Sequence, residues 1–339
     1  MSDEILPRSH YPVRRITGVR IAGTGSFLPD HVVTNEDLAA LGYDADWIVQ
    51  RSGIRERRHA PPEMATSDMA VAAAERCLEA SRVPRDQVDL VLLATFTPDY
   101  LIPATACSVQ NRLGLNCGAM DVSAACAGFL YALITGMQYV ATGCSRAALV
   151  IGADTNSRVM NPEDKKTYPL FGDGAGAVLL VPGEPDQGLP AYTLGADGAG
   201  EQLLIRPTGG TRRPATAERV AAGEHFVRME GRPVFKWAVR LVADSVRQVL
   251  AGADLALDDV HLWLPHQANV RILDAAIDNL GIDRSRVVMH MDRYGNTSAG
   301  SVPIALDESI AAGRVKRGNH LLLCGFGAGL AWGTALMRW

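Results

Sequence analysis

Two halves of this 339-residue chain resemble each other, and that weak duplication narrows the set of possible folds. The segments FGDGAGAVLLV (171–181) and CGFGAGL (324–330) are both Gly-x-Gly-Ala-Gly turns that lead into an apolar strand. Two further correspondences follow in the same order, each pairing a segment of the first half with one of the second: 88–95 with 260–266, and 118–133 with 287–306. Three matches in one order predict two similar halves.

Apolar residues recur at helical spacing in stretches that alternate with short apolar strands. The predicted helices are 64–81, 129–142, 234–251 and 270–280. Gly143, Gly252 and Gly281 follow three of these helices and are predicted to be their C-caps. This alternation predicts a layered α/β architecture in which helices cover mixed sheets. The segment PGEPDQG (182–188) is predicted to separate the halves.

Charge and cysteine usage exclude several classes of protein. The formal net charge is −4, so the chain as a whole is not an electrostatic binder of nucleic acid. None of the six cysteines forms a Cys-x-x-Cys pair, which argues against a zinc or redox motif. Residues 1–15 lack the apolar core of a signal peptide, and no apolar run approaches the ~20 residues that span a bilayer. We therefore expect a reduced, cytoplasmic setting away from membranes.

Cys126 is the first candidate for chemistry. It lies in DVSAACAGFLY (121–131), where small residues surround it and an apolar helix is predicted to begin just after it. A thiol at a helix N-terminus lies at the positive end of the helix dipole, which favours the nucleophilic thiolate. The small neighbours leave room for a bulky acyl group. The alternative, an inert packing cysteine, remains open on this evidence alone.

His266 and Asn296 are the second and third candidates. His266 ends an apolar strand in LPHQANVR (264–271), and Asn296 lies in YGNTSAGS (294–301). Asparagine after glycine is often only a turn residue. The duplication, however, puts Asn296 in the second half where Cys126 stands in the first. Pseudo-twofold packing would then bring Cys126, His266 and Asn296 to one central site.

The glycine-rich segment 325–329 is the candidate source of backbone N–H donors for an oxyanion. A chain with little side-chain bulk can turn sharply and point backbone N–H groups at a developing oxyanion. Its spacing also resembles a weak phosphate loop, but the Lys-Ser/Thr ending of such a loop is missing. Oxyanion stabilisation is therefore the better interpretation.

These segments together closely resemble the β-ketoacyl-acyl-carrier-protein synthase III family, the initiating condensing enzymes of bacterial fatty-acid synthesis. The likeness runs from residue 16 to residue 339. It is carried by GTGSFLP (23–29), WIVQRSGIRER (47–57), FGDGAG (171–176), HQANVR (266–271) and GNTS (295–298). The motifs are weak singly and highly specific in combination.

The resemblance implies a thiolase-like α/β fold of two duplicated halves, layered α-β-α-β-α around two mixed sheets. We expect an N-terminal extension at 1–15, a first half at 16–183 that carries the cysteine, and a second half at 184–339 that carries the histidine and asparagine. The family also implies a homodimer.

The resemblance also assigns the catalytic roles. Cys126 is expected to accept the starter acyl group from acyl-CoA, and His266 and Asn296 to bind the malonyl thioester carbonyl during decarboxylation. The backbone N–H groups of Cys126 and Ala328 are expected to form the oxyanion hole. No metal and no cofactor is expected beyond the substrates acyl-CoA and malonyl-acyl carrier protein.

Contacts with coenzyme A, with the carrier protein and with a second subunit follow from the same resemblance. Trp47 and Arg158 match an adenine sandwich, and Arg51 matches a phosphate contact. Ile102 matches the tip of a loop, 97–103, that reaches the acyl pocket of the partner subunit. The residues expected to meet the acyl carrier protein are Lys236, Gln267, Ala268, Asn269, Val270 and Arg271.

Three alternatives remain at this level. The nearest is a relative from secondary metabolism that transfers an acyl group to a hydroxyl or amine, or primes a polyketide. A cysteine hydrolase and a silent scaffold subunit of a condensing complex are the others. The starter acyl group cannot be deduced, and the Arg- and Ala-rich segment 207–225 leaves the pocket length open.

Overall fold

The computed structural model describes residues 11–339, so the predictions for residues 1–10 lie outside the described residues. The strands are β1 (Arg14–Thr17), β2 (Val19–Phe27), β3 (Val32–Thr34), β4 (Glu56–Arg58), β5 (Leu90–Ala94), β6 (Gly118–Val122), β7 (Ala148–Asp154), β8 (Gly174–Pro182), β9 (Gly188–Ala196), β10 (Leu204–Ile205), β11 (Arg228–Met229), β12 (Val260–Pro265), β13 (His320–Gly327) and β14 (Ala331–Arg338). The α-helices are α1 (Asn35–Ala39), α2 (Ala45–Ser52), α3 (Thr66–Ser81), α4 (Thr105–Arg112), α5 (Gly128–Ala141), α6 (Ala217–Ala221), α7 (Gly231–Gly252), α8 (Val270–Leu280), α9 (Met291–Tyr294) and α10 (Ser301–Ala311).

Two five-stranded sheets organise the molecule. Their strand orders are β2-β8-β7-β5-β6 and β1-β9-β14-β13-β12. In the first sheet β5 runs parallel to β7, and β8 pairs antiparallel with both β7 and β2. The second sheet repeats this pattern, because β12 runs parallel to β13 and β14 pairs antiparallel with both β13 and β9. Both sheets are mixed, as predicted, and their matching pairing supports the predicted duplication.

The sheets and helices form the five predicted layers. Helices α5 and α10 lie between the two sheets, and their apolar residues share one core cluster with β5, β8, β12 and β13. Helices α3 and α4 cover the outer face of the first sheet, and α7 and α8 cover the outer face of the second. Helix α5 is apolar around most of its circumference because it is covered on both sides. The predicted α-β-α-β-α fold is confirmed.

Most predicted helices agree with the structure to within a few residues, but some details were wrong. Gly281 is the left-handed C-cap of α8, and Gly143 is left-handed just after α5. Gly252, by contrast, is the last residue of α7 and does not cap it. Strand β1 starts at Arg14 and pairs with β9 in the second sheet. Residues 14 and 15 are therefore part of the fold, and the first half does not hold all of residues 16–183.

The Gly-x-Gly-Ala-Gly match between the halves was out of register. In the first half the final Gly-Ala-Gly opens β8, whereas in the second half the motif spans the end of β13 and the turn before β14. The match of 88–95 with 260–266 is correct, because these segments form the equivalent strands β5 and β12. In the first half the glycines begin a strand, and in the second half they end one strand and form the turn to the next.

Two loops that enter the central helices carry the candidate residues. The Cys126 loop (residues 123–127) precedes α5, and the Asn296 loop (residues 295–300) precedes α10. Each ends in a 3-10 turn whose first residue is left-handed, Ala125 at φ +46° and Ser298 at φ +51°. By this register Ser298 corresponds to Ala125, so the residue equivalent to Cys126 is Ala299. The prediction that Asn296 is the counterpart of Cys126 was wrong by three positions.

Each loop packs against the sheet of the other half. A Cβ atom placed on Gly152 of β7 would lie 2.3 Å from the carbonyl oxygen of Ala299. A Cβ atom on Gly327 of β13 would lie 2.9 Å from Cβ of Cys126. Only glycine permits such close approach. The two halves are therefore in direct contact at the Cys126 loop and at the Asn296 loop.

Candidate active site

A cavity of about 710 Å³ opens at the junction of the two halves. Cys126, His266 and Asn296 all line it. Their exposed fractions are 7%, 1% and 5%, so the three polar groups are almost fully withdrawn from solvent. Residues separated by up to 170 positions along the chain thus share one enclosed space, as the sequence predicted.

Cys126 lies in the middle of its 3-10 turn, two residues before α5 begins. The hydroxyl of Ser298 donates a hydrogen bond to Sγ over 3.3 Å. Burial raises the pKa of the Cys126 thiol to about 12, while the Ser298 hydroxyl and the N–H of Cys126 itself lower it. Loss of solvent around the sulfur thus opposes the thiolate-favouring effect expected of the helix end.

The buried carboxylate of Asp154 also acts on this region. It lies at the end of β7 and is fully buried. Its Oδ1 accepts hydrogen bonds from the Thr95 hydroxyl and the Phe96 N–H, both over 2.9 Å, and its Oδ2 accepts one from the N–H of Ala299. Its negative charge further raises the pKa of Cys126. Asp154 thus anchors the Asn296 loop and disfavours a second negative charge nearby.

His266 follows the last residue of β12, which directs its ring into the cavity. Its Nδ1 lies 2.7 Å from Oγ of Ser301, and its ring packs edge-on against Phe326 at 5.3 Å between centroids. Burial, with a smaller contribution from the nearby His290, lowers the pKa of His266 to about 3. The imidazole is therefore neutral at physiological pH.

Asn296 is held by its backbone and by one side-chain oxygen. Its N–H donates to the carbonyl oxygen of Leu170 over 2.8 Å, and its own carbonyl accepts from Gly172 over 3.0 Å. Its Oδ1 accepts from the N–H of Ser298 over 2.8 Å. Among residues 11–339 its Nδ2 has no hydrogen-bond acceptor, so the amide can donate to a molecule in the cavity.

The predicted oxyanion hole is placed only in part. Gly327 lines the cavity, and a Cβ atom there would lie 3.3 Å from Sγ of Cys126. Ala328 is the next residue, half-buried in the turn between β13 and β14, and is not among the residues that line the cavity. Its role as a backbone donor remains a prediction.

The mouth of the cavity is aromatic and basic. Trp47 is 41% exposed, and the guanidinium of Arg51 lies 5.6 Å from the centre of its ring. Arg271 lies 5.9 Å from the ring centre of Phe235 on the other side of the mouth. These groups line the cavity together with Ala268 and Asn269. Such a rim suits a planar ring and an anionic group.

One of the predicted coenzyme A contacts, Arg158, points elsewhere. Arg158 does not line the cavity, and its guanidinium donates to the carbonyl oxygens of Pro61, Pro62 and Met64 over 2.7, 2.8 and 3.1 Å. The predicted pairing of Arg158 with Trp47 is therefore not formed. Lys166, which the sequence reasoning missed, lines the cavity instead.

Gln267 also contradicts its prediction as a surface contact. It is fully buried, and its amide donates to the carbonyl oxygens of Pro265 and Val288 over 2.8 and 3.0 Å. Val270 is half-buried and packs near Ile54. Lys236 is exposed on α7 but does not line the cavity. The part of the stretch 267–271 that can meet a partner is thus smaller than predicted.

Ile102 lies at an exposed apolar tip. Tyr100, Leu101 and Ile102 are 69%, 84% and 86% exposed.

The functional residues around the cavity that sequence reasoning missed are Ser298, Ser301 and Asp154. Ser298 and Ser301 lie in the segment 294–301 that was singled out for Asn296, whereas no sequence pattern pointed to Asp154; only their tertiary contacts distinguish the three residues.

No helix within residues 11–339 combines the length and apolar character that a membrane span requires.

Comparison with known proteins agrees with this geometry. Residues 120–198 match the family described as 3-oxoacyl-[acyl-carrier-protein] synthase III, and residues 250–339 match its C-terminal family. The β-ketoacyl-[acyl-carrier-protein] synthase III of Rhodopirellula baltica is 53% identical, covering 96% of this chain and 99% of that protein.

Solved structures give the same result. The 3-oxoacyl-[acyl-carrier-protein] synthase III of Aquifex aeolicus is 40% identical with a TM-score of 0.88, covering 95% of this chain and 100% of that one. A priming β-ketosynthase from the R1128 polyketide pathway is 33% identical with a TM-score of 0.87, covering 95% and 96%. The chain therefore belongs to the β-ketoacyl-[acyl-carrier-protein] synthase III family of condensing enzymes.

Proposed function

We propose that this chain joins an acyl-CoA starter to malonyl-acyl carrier protein by decarboxylative Claisen condensation, the step that initiates fatty-acid synthesis. The observation that carries the proposal is the convergence of Cys126, His266 and Asn296 on one enclosed cavity. The family membership supports this reaction over polyketide priming, because identity is higher to synthases of type III than to the priming enzyme.

In the first half-reaction the sulfur of Cys126 attacks the thioester carbonyl of acyl-CoA. The bond between that carbonyl and the CoA sulfur then breaks, and the thiol proton ends on the departing CoA. The catalytic groups are almost fully withdrawn from solvent, so backbone N–H groups near Cys126 and Ala328 stabilise the tetrahedral oxyanion more strongly than water would. The product is a thioester on Cys126.

In the second half-reaction malonyl-acyl carrier protein loses carbon dioxide. The electrons of the broken bond form an enolate, whose oxygen accepts hydrogen bonds from Nδ2 of Asn296 and Nε2 of His266. The enolate carbon attacks the acyl group, and the Cys126 sulfur leaves as a thiolate that takes up a proton from solvent, replacing the one that left with CoA. His266 acts as a neutral donor because burial lowers its pKa to about 3. The proposed chemistry uses hydrogen-bond donors and no metal or cofactor.

The rim of the cavity serves recognition. Trp47 and Arg51 bind the adenine and phosphate groups of CoA, with Lys166 in place of Arg158 as the further basic contact. Arg271 and Lys236 meet the acidic carrier protein, supported by Ala268 and Asn269 at the mouth. Rim charges of this kind act mainly on association rate and its salt dependence.

A homodimer in the cytoplasm completes the proposal. The exposed tip at Tyr100, Leu101 and Ile102 presents large apolar side chains that a second subunit would cover. All six cysteines lie in the described part of the chain and are unpaired there, which suits a reducing compartment.

Acyl-enzyme mass spectrometry tests the proposal. The protein is mixed with acetyl-CoA, a branched-chain acyl-CoA and a medium-chain acyl-CoA, then with malonyl-acyl carrier protein. We expect one acyl adduct on Cys126, removed by the carrier substrate with release of a β-ketoacyl product. An adduct on another residue, or none with any starter, would contradict the assignment. The same series identifies the starter.

A further inference from the structure

Ser301 touches His266 from within the protein. It is the first residue of α10, is fully buried and does not line the cavity. Its Oγ lies 2.7 Å from Nδ1 of His266 and 2.9 Å from the carbonyl oxygen of Ser298. The backbone N–H of Gln267 points at the same Oγ from 3.4 Å. Three groups therefore compete for one hydroxyl.

Counting protons leaves two arrangements. A serine hydroxyl has one proton and two lone pairs, and the Gln267 N–H occupies one lone pair. In the first arrangement the hydroxyl donates to Nδ1 of His266. In the second it donates to the carbonyl oxygen of Ser298 and accepts from Nδ1–H. The first arrangement remains possible because the carbonyl oxygen of Ser298 also accepts the backbone N–H of Ser301 and so keeps a donor without the hydroxyl.

The two arrangements leave opposite groups facing the cavity. A neutral imidazole carries one proton, so donation to Nδ1 puts that proton on Nε2, whereas Nδ1–H leaves Nε2 with a bare lone pair. Among residues 11–339 Nε2 has no hydrogen-bond partner, so nothing else in the described protein selects its protonation. The hydroxyl of Ser301 is the group that decides.

We propose that Ser301 is a positioning residue that selects the tautomer of His266: by donating to Nδ1 it makes Nε2 a hydrogen-bond donor toward the thioester carbonyl. This inference rests on the proposed function, in which His266 and Asn296 donate to one enolate oxygen. A bare Nε2 would repel that oxygen, so the tautomer decides whether the site stabilises or opposes the charge.

Neighbouring groups hold Ser301 in place for this task. Nε2 of His290 donates to the carbonyl oxygen of Ser301 over 3.1 Å, and the N–H of His290 donates to Oε1 of Gln267 over 3.0 Å. Gln267 in turn is fixed by Pro265 and Val288. This ring of bonds accounts for the burial of Gln267 beside a catalytic histidine.

The ring contains no charged side chain. Within residues 11–339 the charged groups that act on the pKa of His290 are Glu308, Arg293 and Asp292, and the titratable group that acts on the pKa of His266 is His290. Burial keeps both imidazoles neutral near pH 7 because it lowers both pKa values. Tautomer choice is therefore separable from protonation.

Ser301→Ala tests the inference, with Ser309→Ala as the matched control. Ser309 is also buried on α10, and its hydroxyl donates only to the carbonyl oxygen of Ala305. We expect Ser301→Ala to slow malonyl decarboxylation and condensation about 10-fold while acylation of Cys126 is unchanged. Ser309→Ala should change neither rate. Equal slowing of both half-reactions by Ser301→Ala would overturn the inference.

A double variant separates positioning from simple packing. Because Ser301 acts through His266, Ser301→Ala should slow condensation no further in a His266→Ala background. Independent, multiplying losses would contradict the inference. Should Ser301→Ala fail to fold, Ser301→Cys keeps a side chain of similar size with a weaker donor and should give the same half-reaction split.

Nitrogen-15 NMR of histidine-labelled protein reads the tautomer directly and needs no substrate. We expect mainly Nε2–H at His266 in the wild type and a larger Nδ1–H fraction in Ser301→Ala. An unchanged tautomer would overturn the inference. If instead no acyl-CoA acylates Cys126, the proposed function fails while the NMR result still stands by itself.

Discussion

The Cys126 loop and the Asn296 loop follow the same backbone course and supply different chemistry. Both pass through a left-handed residue and a 3-10 turn into a central helix. In the first loop the residue after the left-handed position is Cys126, which reaches the cavity. In the second it is Ala299, which is 1% exposed within the core between the sheets.

The difference shows what the duplicated backbone does and does not determine. A left-handed non-glycine residue costs of order 1–3 kcal/mol, so the repeated turn has to be held in place by its surroundings. The other left-handed non-glycine residues, within the described chain, are Arg82 and Asp254 near helix C-termini. The turn fixes where the chain enters the helix, whereas the functional atom can come from any residue of the loop.

The largest expected effect comes from moving the nucleophile between the loops. Cys126→Ala should reduce acylation by about 10⁴-fold or more, and adding Ala299→Cys should not restore it, because residue 299 is enclosed by the core. Mass spectrometry after incubation with acetyl-CoA measures both variants. An acyl adduct on residue 299 would show that the turn alone creates a reactive thiol. It would contradict the claim that the two loops differ in chemistry.

A smaller effect is expected from the second loop. Asn296→Ala should slow condensation by ~10²–10³-fold and leave acylation of Cys126 unchanged, because it removes one donor to the enolate oxygen. Asn296→Asp keeps the shape, replaces the donor with an oxygen and should be equally slow. Rapid-quench measurement of each half-reaction checks this. Loss of acylation in either variant would mean that the two loops do not divide the reaction.

The smallest expected effect is a difference between the two loops in how their stability depends on pH. His266 and His290 both bond to Ser301, directly after the Asn296 loop, and burial lowers the pKa of each below the ordinary value near 6.5. Unfolding therefore takes up protons below pH 6.5. The resulting stability is present above that pH and is lost as pH falls toward about 3 for His266, by up to about 1.4 kcal/mol per pH unit per histidine.

Hydrogen exchange followed from pH 7 to pH 5 measures this difference. Protection of the Asn296 loop should fall before that of the Cys126 loop, which contains no histidine. Asp154 bonds to the same loop, and because its pKa is raised its protonation favours the folded state and opposes the trend. The variant His266→Asn isolates the histidine contribution. Equal loss of protection in both loops would remove the distinction.

Sequence patterns predicted a layered α/β fold because it depends on periodicity and chain order. The three cavity residues were brought together by an assumed duplication, whose register was wrong at Asn296, and by the family resemblance. Helices α3, α5, α7 and α8 were found from apolar spacing, and strands β5 and β12 from apolar runs. His266 was recognisable because polar groups at the end of a buried strand commonly face a site. Such features need no knowledge of tertiary contacts.

The sequence patterns did not show which side chains point into the cavity and which point into the protein interior. Gln267 adjoins His266 at the end of a strand, and successive side chains of an extended chain point to opposite faces. With His266 in the cavity, Gln267 had to face the interior. Arg158 has a long side chain whose guanidinium bonds to the carbonyl oxygens of Pro61 and Pro62, contacts that the sequence does not indicate. Ser301 and Asp154 gain their roles only when the two halves meet.

The close contact of Gly152 with Ala299, and of Gly327 with Cys126, has a consequence during synthesis of the chain. A ribosome that has released only the first sheet has already made the sulfur and part of the cavity lining, but not Gly327, the imidazole or the carboxamide. A nascent chain of that length therefore lacks the donors proposed for condensation, and the site is complete only with the last strands, β13 and β14.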